Sequence, residues 1–228
     1  MKMTTAISNR TSLFQIDIIN QSFTWMCVGL ITTALSSLFI ATNTTLVNAI
    51  YSNNLIFYGL ILIELVIVGV LSFKIRSMTF EEAVASFLLY SFLNGLTLSS
   101  IFLIYTGTSI VSTFFITAIV FGIMAVYGYT TKRDLTTIGN LAFMALIGII
   151  VASLVNLFFQ NSLISYILSY LSIAIFIGLT AYDTQKIKEM ESETDNQNLG
   201  VLGALMLYLD FINIFLNLLR ILGRRNND

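Results

Sequence analysis

The chain has 228 residues, of which 57% are hydrophobic and 10% are charged, and its formal net charge is −1. An average soluble domain carries about 25% charged residues, so a mean hydropathy of +0.88 indicates a membrane protein. The near-zero net charge provides no basic surface for nucleic acid. The absence of histidine excludes Ser-His and Cys-His nucleophile pairs, HExxH zinc sites and the usual haem ligand.

Seven apolar runs follow one another along the chain, joined by short polar segments. Two blocks without any charged residue, 83–131 and 135–182, are each long enough for two crossings, because a spanning helix needs about 20 apolar residues. We therefore predict an all-α, polytopic membrane protein with a single domain, residues 1–228, built as a bundle of seven transmembrane helices. The predicted spans are residues 23–42, 55–73, 83–105, 110–129, 138–159, 163–183 and 199–222.

The positively charged residues are distributed unevenly between the two sides of this bundle. Eight of the eleven fall before span one or in the loops after spans two, four and six: Lys2, Arg10, Lys74, Arg76, Lys132, Arg133, Lys186 and Lys188. Because positively charged loops stay in the cytoplasm, we predict a cytoplasmic N-terminus. The short loops and the lack of an organellar targeting segment favour a bacterial plasma (inner) membrane.

The last span leaves two topologies open. Arg220, Arg224 and Arg225 lie on the outer side if residues 199–222 cross completely. The alternative is a segment that enters the membrane and returns to the cytoplasm. The length of the run, without a turn signal, favours the full crossing.

Glu64 is the first acidic residue inside a predicted span, in the sequence Leu-Ile-Glu-Leu-Val. Ionisable residues within a membrane are costly and mark function by default. Glu64 follows the outer start of span two, and Arg220 lies toward the outer end of span seven. An outer ion pair between them is therefore a candidate lock on the outer mouth, or alternatively a purely structural bridge.

Asp183 and Asp210 lie in the last two predicted spans, where a carboxylate costs roughly 2.5–3.5 kcal/mol even on the lenient insertion scale. Both are equidistant from residues 196–197, in the polar loop between the two spans, so an antiparallel hairpin would place them at similar depth. Two carboxyls in contact cannot both ionise freely and hold one proton over a range of pH. We predict a pH-responsive pair, although Asp183 could instead cap its helix beside Lys186.

Two asparagines extend the polar surface of the last span. Asn213 and Asn217 are four residues apart, and Asp210 lies three residues before Asn213, so all three share one helix face. A polar stripe of this kind predicts that the last helix is central in the bundle and faces other helices rather than lipid.

Two motifs stand out in the C-terminal third of the chain: residues 182–185, Tyr-Asp-Thr-Gln, and residues 207–220, LYLDFINIFLNLLR. In these motifs the chain resembles the Bax inhibitor-1 family in its bacterial, seven-span form. The number of spans, their orientation and the segment around Glu64 fit along nearly the whole chain.

This resemblance implies a helical bundle with a central last helix and a pH-sensitive calcium leak. It also implies a paired-aspartate sensor at the positions that match Asp183 and Asp210, and an outer Glu–Arg lock at those that match Glu64 and Arg220. Calcium and protons would then be the ligands, with Asp183 and Asp210 as transient calcium ligands and without a cofactor.

The family pattern also includes a basic residue that contacts the aspartates from the inner end of span two. The aligned position here is Ile75. Its neighbours Lys74 and Arg76 are therefore the candidate inner basic contacts.

Two other functions compete with the leak. An intramembrane aspartyl protease also uses two aspartates that share a proton, but its Gly-x-Gly-Asp and Pro-Ala-Leu motifs are missing and the chain has no proline. We therefore expect no enzymatic activity. The other candidate is a regulatory protein that binds and restrains another membrane protein, such as a membrane-bound protease; relatives in the family are linked to stress and cell-death control.

Overall fold

The computed structural model describes residues 17–191 and 196–226. Lys2 and Arg10, which entered the prediction of orientation, lie outside the described residues. Within the described part, the chain forms nine α-helices and one short 3-10 helix at Ile75–Ser77. The α-helices are α1 Ile18–Ala41, α2 Thr44–Tyr51, α3 Asn54–Lys74, α4 Phe80–Leu98, α5 Ser100–Ile104, α6 Gly107–Thr130, α7 Thr136–Phe159, α8 Ser162–Glu191 and α9 Asn198–Leu222.

Seven helical segments are long and apolar enough to cross a membrane, which confirms the predicted all-α polytopic fold. The third of these segments consists of α4 and α5, which are separated at Ser99. The hydroxyl of Tyr51, at the end of α2, fills this break. It accepts a hydrogen bond from the Ser100 amide at 2.9 Å and lies 2.9 Å from the Thr97 carbonyl oxygen.

Polar residues in the loops fix where several helices begin. The side chains of Asp17, Asn43, Asn53, Thr79 and Thr106 accept hydrogen bonds from the first free amides of α1, α2, α3, α4 and α6. At Thr79 the Glu82 carboxylate returns a bond to the cap amide and completes a capping box. The sequence thus satisfies amides that would otherwise face the membrane interface without partners.

The last helix, α9, is the centre of the bundle, as predicted. Of its most apolar 18-residue stretch, 67% is buried, against 11% for the segments of α3 and α7. It packs against α8, α1 and α6. Large apolar side chains on the outer helices, such as Phe73 and Phe158, are exposed, as expected for surfaces that face lipid chains.

Small residues allow the helices around α9 to approach closely. A Cβ atom added at Gly128 of α6 would clash with the carbonyl oxygen of Ala181 in α8. A Cβ at Gly95 of α4 would likewise clash with Ser36 of α1. Such small-residue contacts are the usual way in which membrane helices gain packing energy.

The α9 helix crosses the bundle completely, which resolves the choice between the two topologies. Its 25 residues span about 37 Å at 1.5 Å per residue. The tail beyond it pairs with the α5–α6 connection: the Thr106 amide donates to the Arg224 carbonyl at 3.0 Å, and the Asn226 amide donates to the Ile104 carbonyl at 2.9 Å. The C-terminal arginines therefore lie on the predicted outer side.

Candidate functional site

Asp210 lies in the middle of α9 and is 3% exposed. Its Oδ2 atom is buried without a hydrogen-bond partner. The Thr180 hydroxyl of α8, which neighbours this carboxyl and lies 2.7 Å from the Phe176 carbonyl oxygen, makes no hydrogen bond to Oδ2. A buried acceptor without a donor is rare in proteins and is unfavourable when charged, so this oxygen needs a proton or a cation.

Asp183 reaches the same place from α8. Both carboxyls line one cavity of about 360 Å³ between α7, α8 and α9, together with Asn140, Tyr182 and Lys186. The hairpin of α8 and α9 therefore brings together the two aspartates that the sequence singled out. Asp183 does not cap its helix, because α8 continues to Glu191.

The other residues of the segment 182–185 hold Asp183 in position. The Tyr182 ring packs directly on Gly139 of α7, where any Cβ would clash with it. Thr184 is fully buried and donates to the Thr180 carbonyl at 2.7 Å. The side-chain amide of Gln185 forms two hydrogen bonds with the α6–α7 loop. Its Oε1 accepts from Leu135 N and its Nε2 donates to a loop carbonyl, each at 2.9 Å.

The basic residue at the inner end of the cavity is Lys186, and the prediction of Lys74 and Arg76 was wrong. Lys186 follows Asp183 by three residues, so the two share one face of α8, and its Nζ lies 5.5 Å from the Tyr182 ring centroid. Lys74 and Arg76 are exposed and do not line the cavity.

The position between Lys74 and Arg76 explains this difference. Ile75 is fully buried and occupies the inward-facing position, so its two neighbours point away from the bundle. Asn198, at the start of α9, fixes this turn through hydrogen bonds from its amide group to the carbonyls of Ile75 at 2.9 Å and Met78 at 2.6 Å.

The structure does not bring Glu64 and Arg220 together, so the predicted outer ion pair is absent from this conformation. Glu64 is 8% exposed and accepts hydrogen bonds from Asn94 Nδ2 at 3.1 Å and Thr97 Oγ1 at 3.0 Å. Arg220 instead donates to Ser169 Oγ of α8 at 3.2 Å. The physical reason is the order of the helices, since α3 packs on α4 and takes its partners there.

A buried hydrogen-bond network joins Glu64 to the central helix, and the sequence reading did not find it. The Tyr208 hydroxyl of α9 donates to Asn94 Oδ1 at 3.1 Å. The same hydroxyl oxygen lies 2.6 Å from Thr33 Oγ1, and either hydroxyl can be the donor in this contact. Thr33, Tyr208, Asn94 and Glu64 thus form one chain across four helices, α1, α9, α4 and α3. A tyrosine within an apolar span, Tyr208, was the feature of the sequence that could have indicated this network.

The two asparagines of the predicted polar stripe are half-buried in α9. The Asn213 amide nitrogen donates to the Leu209 carbonyl at 2.8 Å, and that of Asn217 donates to the Asn213 carbonyl at 2.9 Å. These bonds stay within one helix, so the donors of the stripe do not connect α9 to its neighbours.

Among the described residues, no group of three or more acidic, histidine or cysteine side chains lies close enough to hold a metal ion. The site therefore offers two carboxylates and one ammonium group beside a cavity. Chemically, such an arrangement can bind and release a proton, or form two carboxylate contacts with a passing cation.

The sequence matches the family profile described as inhibitor of apoptosis-promoting Bax1 over residues 15–227. It is 47% identical over 211 residues to the inner membrane protein YbhL of Escherichia coli K12, covering 90% of each chain. It is 48% identical over 211 residues to a protein of Borreliella burgdorferi, covering 90% of this chain and 91% of the other. Because the family match covers nearly the whole chain, the protein belongs to the Bax inhibitor-1 family.

Proposed function

We propose that this protein is a pH-sensitive calcium leak of the bacterial inner membrane, in which Asp183 and Asp210 form the gate. The inner-membrane location follows the name of the Escherichia coli relative. The observation that carries the gate is the unpartnered Oδ2 of Asp210, in a cavity that it shares with a second carboxyl.

The described conformation suits a pair that holds one proton. Lys186, one turn from Asp183 on α8 and lining the same cavity, provides a counter-charge for an ionised Asp183, and a protonated Asp210 needs no second counter-charge. When this one proton leaves, two negatively charged carboxylates share the cavity with the single ammonium group of Lys186, and Oδ2 of Asp210 still lacks a donor. Repulsion between them then favours separation of α8 from α9 or entry of a cation.

The carboxylate oxygens of the pair support calcium as the cation. Calcium takes oxygen ligands, among them the carboxylates of aspartate and glutamate. Among the described residues, no third acidic side chain joins the pair as a metal ligand. Two carboxylates suit transient passage rather than storage, since tight calcium sites use six to eight oxygen ligands.

The test is calcium efflux from liposomes across pH, with wild type and Asp210→Asn side by side. We expect wild type to leak more calcium as pH rises and the pair loses its proton. Asp210→Asn should leak at a rate that does not depend on pH, because the amide cannot titrate. A flux no greater than that of empty vesicles at every pH would contradict the proposal.

Asp134→Asn provides a matched control. Asp134 is a fully exposed acid in the α6–α7 loop, outside the membrane-spanning segments, and hydrogen bonds from the Thr136 hydroxyl and amide lower its pKa. It therefore stays ionised through the tested range, and the same Asp→Asn change there should leave the pH profile unchanged. A profile altered equally by both variants would implicate surface charge instead of the pair.

The second candidate is a regulator that binds another membrane protein, and the family's description as an inhibitor supports it. Crosslinking in native membranes followed by co-purification tests it, and capture of one reproducible partner is the expected result. Both proposals treat the chain as a non-enzymatic protein. Cleavage of a labelled transmembrane peptide that depends on Asp183 and Asp210 would overturn that view in favour of the aspartyl protease.

A further inference from the structure

A separate cavity lies on the outer side of the bundle, away from the aspartate pair. Its volume is about 810 Å³, within the range of about 300–1,000 Å³ typical of small-molecule sites. It is bounded by the end of α7, the start of α8 and the end of α9. Its polar lining includes Arg220, Arg225, Tyr105, Asn156, Gln160 and Ser165.

The charged residues that line this cavity are all positive. Two arginines line it, and none of its lining residues is an aspartate or glutamate. Arg220 donates a hydrogen bond to the neutral Ser169 hydroxyl. Glu64, the acid that the sequence suggested as its partner, accepts hydrogen bonds from Asn94 and Thr97 instead. The two guanidinium groups therefore face the cavity without a neutralising acid.

Arg220 is exposed in the last turn of the spanning helix α9, where a long cationic side chain can reach the polar interface of the membrane. The planar guanidinium forms paired hydrogen bonds with phosphate or carboxylate oxygens. The phenols of Tyr105 and Tyr166 and the hydroxyl of Ser162 add neutral donors around the same space.

The lining of the cavity also includes apolar side chains. Leu157, Leu168 and Ile221 are among its lining residues, and Phe158 and Phe159, which neighbour Leu157 in sequence, are exposed on the lipid-facing surface. A ligand with an anionic head and an apolar body would satisfy both parts of the cavity.

We propose that this outer cavity is a binding site for an anionic phosphate group, held by Arg220 and Arg225. The phosphate can come from the headgroup of an anionic phospholipid in the outer leaflet or from free inorganic phosphate. The apolar wall favours the lipid.

The test measures binding of phosphatidylglycerol to the delipidated full-length protein by native mass spectrometry, with phosphatidylcholine as the neutral reference. Wild type should prefer phosphatidylglycerol by at least about tenfold, the range expected for one charge-assisted contact. The double variant Arg220→Gln/Arg225→Gln should lose that preference. Inorganic phosphate alone, added in competition, forms the second arm.

Arg224→Gln is the matched control, because Arg224 carries the same charge in the same tail but does not line the cavity. Arg224 forms hydrogen bonds through its backbone amide and carbonyl groups, which the substitution keeps, so the variant should bind like wild type. Arg225→Gln alone, beyond the end of α9, is the variant least able to disturb folding and should weaken binding severalfold. Circular dichroism checks that each variant keeps its helices.

The arms separate the outcomes. Arginine-dependent preference for phosphatidylglycerol identifies a lipid site, and displacement by inorganic phosphate shows that the phosphate group itself is recognised. Arginine-dependent binding of phosphate without lipid preference identifies free phosphate as the ligand. Equal binding of both lipids and no binding of phosphate would overturn the proposal, as would equal losses in Arg224→Gln and Arg225→Gln. None of these results depends on calcium flux, so the leak and the anion site can fail separately.

Discussion

The Tyr208 network gives a prediction that is independent of transport. Tyr208 is fully buried, and its ring packs edge-on against Phe87 and Tyr90, with centroid distances of 5.8 and 5.7 Å. Tyr208→Phe removes only the hydroxyl, so these ring contacts remain. What disappears is the link from Thr33 to Asn94 through α9.

The size of the effect follows from two contributions. Interhelical hydrogen bonds in membranes contribute about 0.6 kcal/mol each on average, and Tyr208 makes two. Asn94 Oδ1 also loses its donor in a half-buried position, and an unsatisfied group costs about 1–3 kcal/mol where burial is complete. We therefore expect Tyr208→Phe to lower the free energy of unfolding by about 1–3 kcal/mol.

Reversible unfolding in mixed micelles of increasing SDS content, followed by circular dichroism, measures this difference. Tyr170→Phe is the control, because Tyr170 is 61% exposed on the lipid-facing side of α8, and its loss should stay within about 0.5 kcal/mol. If Tyr208→Phe is no less stable than Tyr170→Phe, the network does not hold the helices together and our reading of it is wrong.

Two further substitutions test the packing around the site by the same unfolding assay. Gly128→Ala forces a Cβ against a backbone carbonyl of α8 and should cost about 1–3 kcal/mol, whereas Gly148→Ala, which meets nothing within 4 Å, should be neutral; equal losses would refute the close approach. Asn198→Ala removes the bonds to the Ile75 and Met78 carbonyls and should cost about 1–3 kcal/mol; an unchanged stability would show that this turn is held by other contacts.

Much of the architecture was predictable because the membrane imposes simple rules. Helix number follows from the length of apolar runs. The approach of Asp183 and Asp210 followed from their equal distance to the loop between their spans, since a helical hairpin places such residues at similar depth. The central position of α9 followed from Asp210, Asn213 and Asn217 on one face.

The failures share one cause, which is that side-chain direction and helix order are tertiary properties. Lys74 and Arg76 flank the aligned position Ile75 in sequence, but the buried isoleucine directs both away from the cavity. Glu64 has its hydrogen-bond partners in α4. The periodicity of apolar residues in the sequence does not reveal that α3 packs against α4. The continuation of α8 beyond Asp183 was hidden by the charged residues that end the apolar run.

The central claim is that one proton, shared by Asp183 and Asp210, controls the leak. Infrared spectroscopy of the reconstituted protein detects the carbonyl stretch of a protonated carboxyl, and calcium efflux can be measured on the same vesicles. The carbonyl band that wild type has and Asp210→Asn lacks belongs to the pair. We predict that this band titrates in wild type with the same midpoint pH as calcium efflux. A band that does not titrate, or efflux whose midpoint is unchanged in Asp210→Asn, would contradict the account.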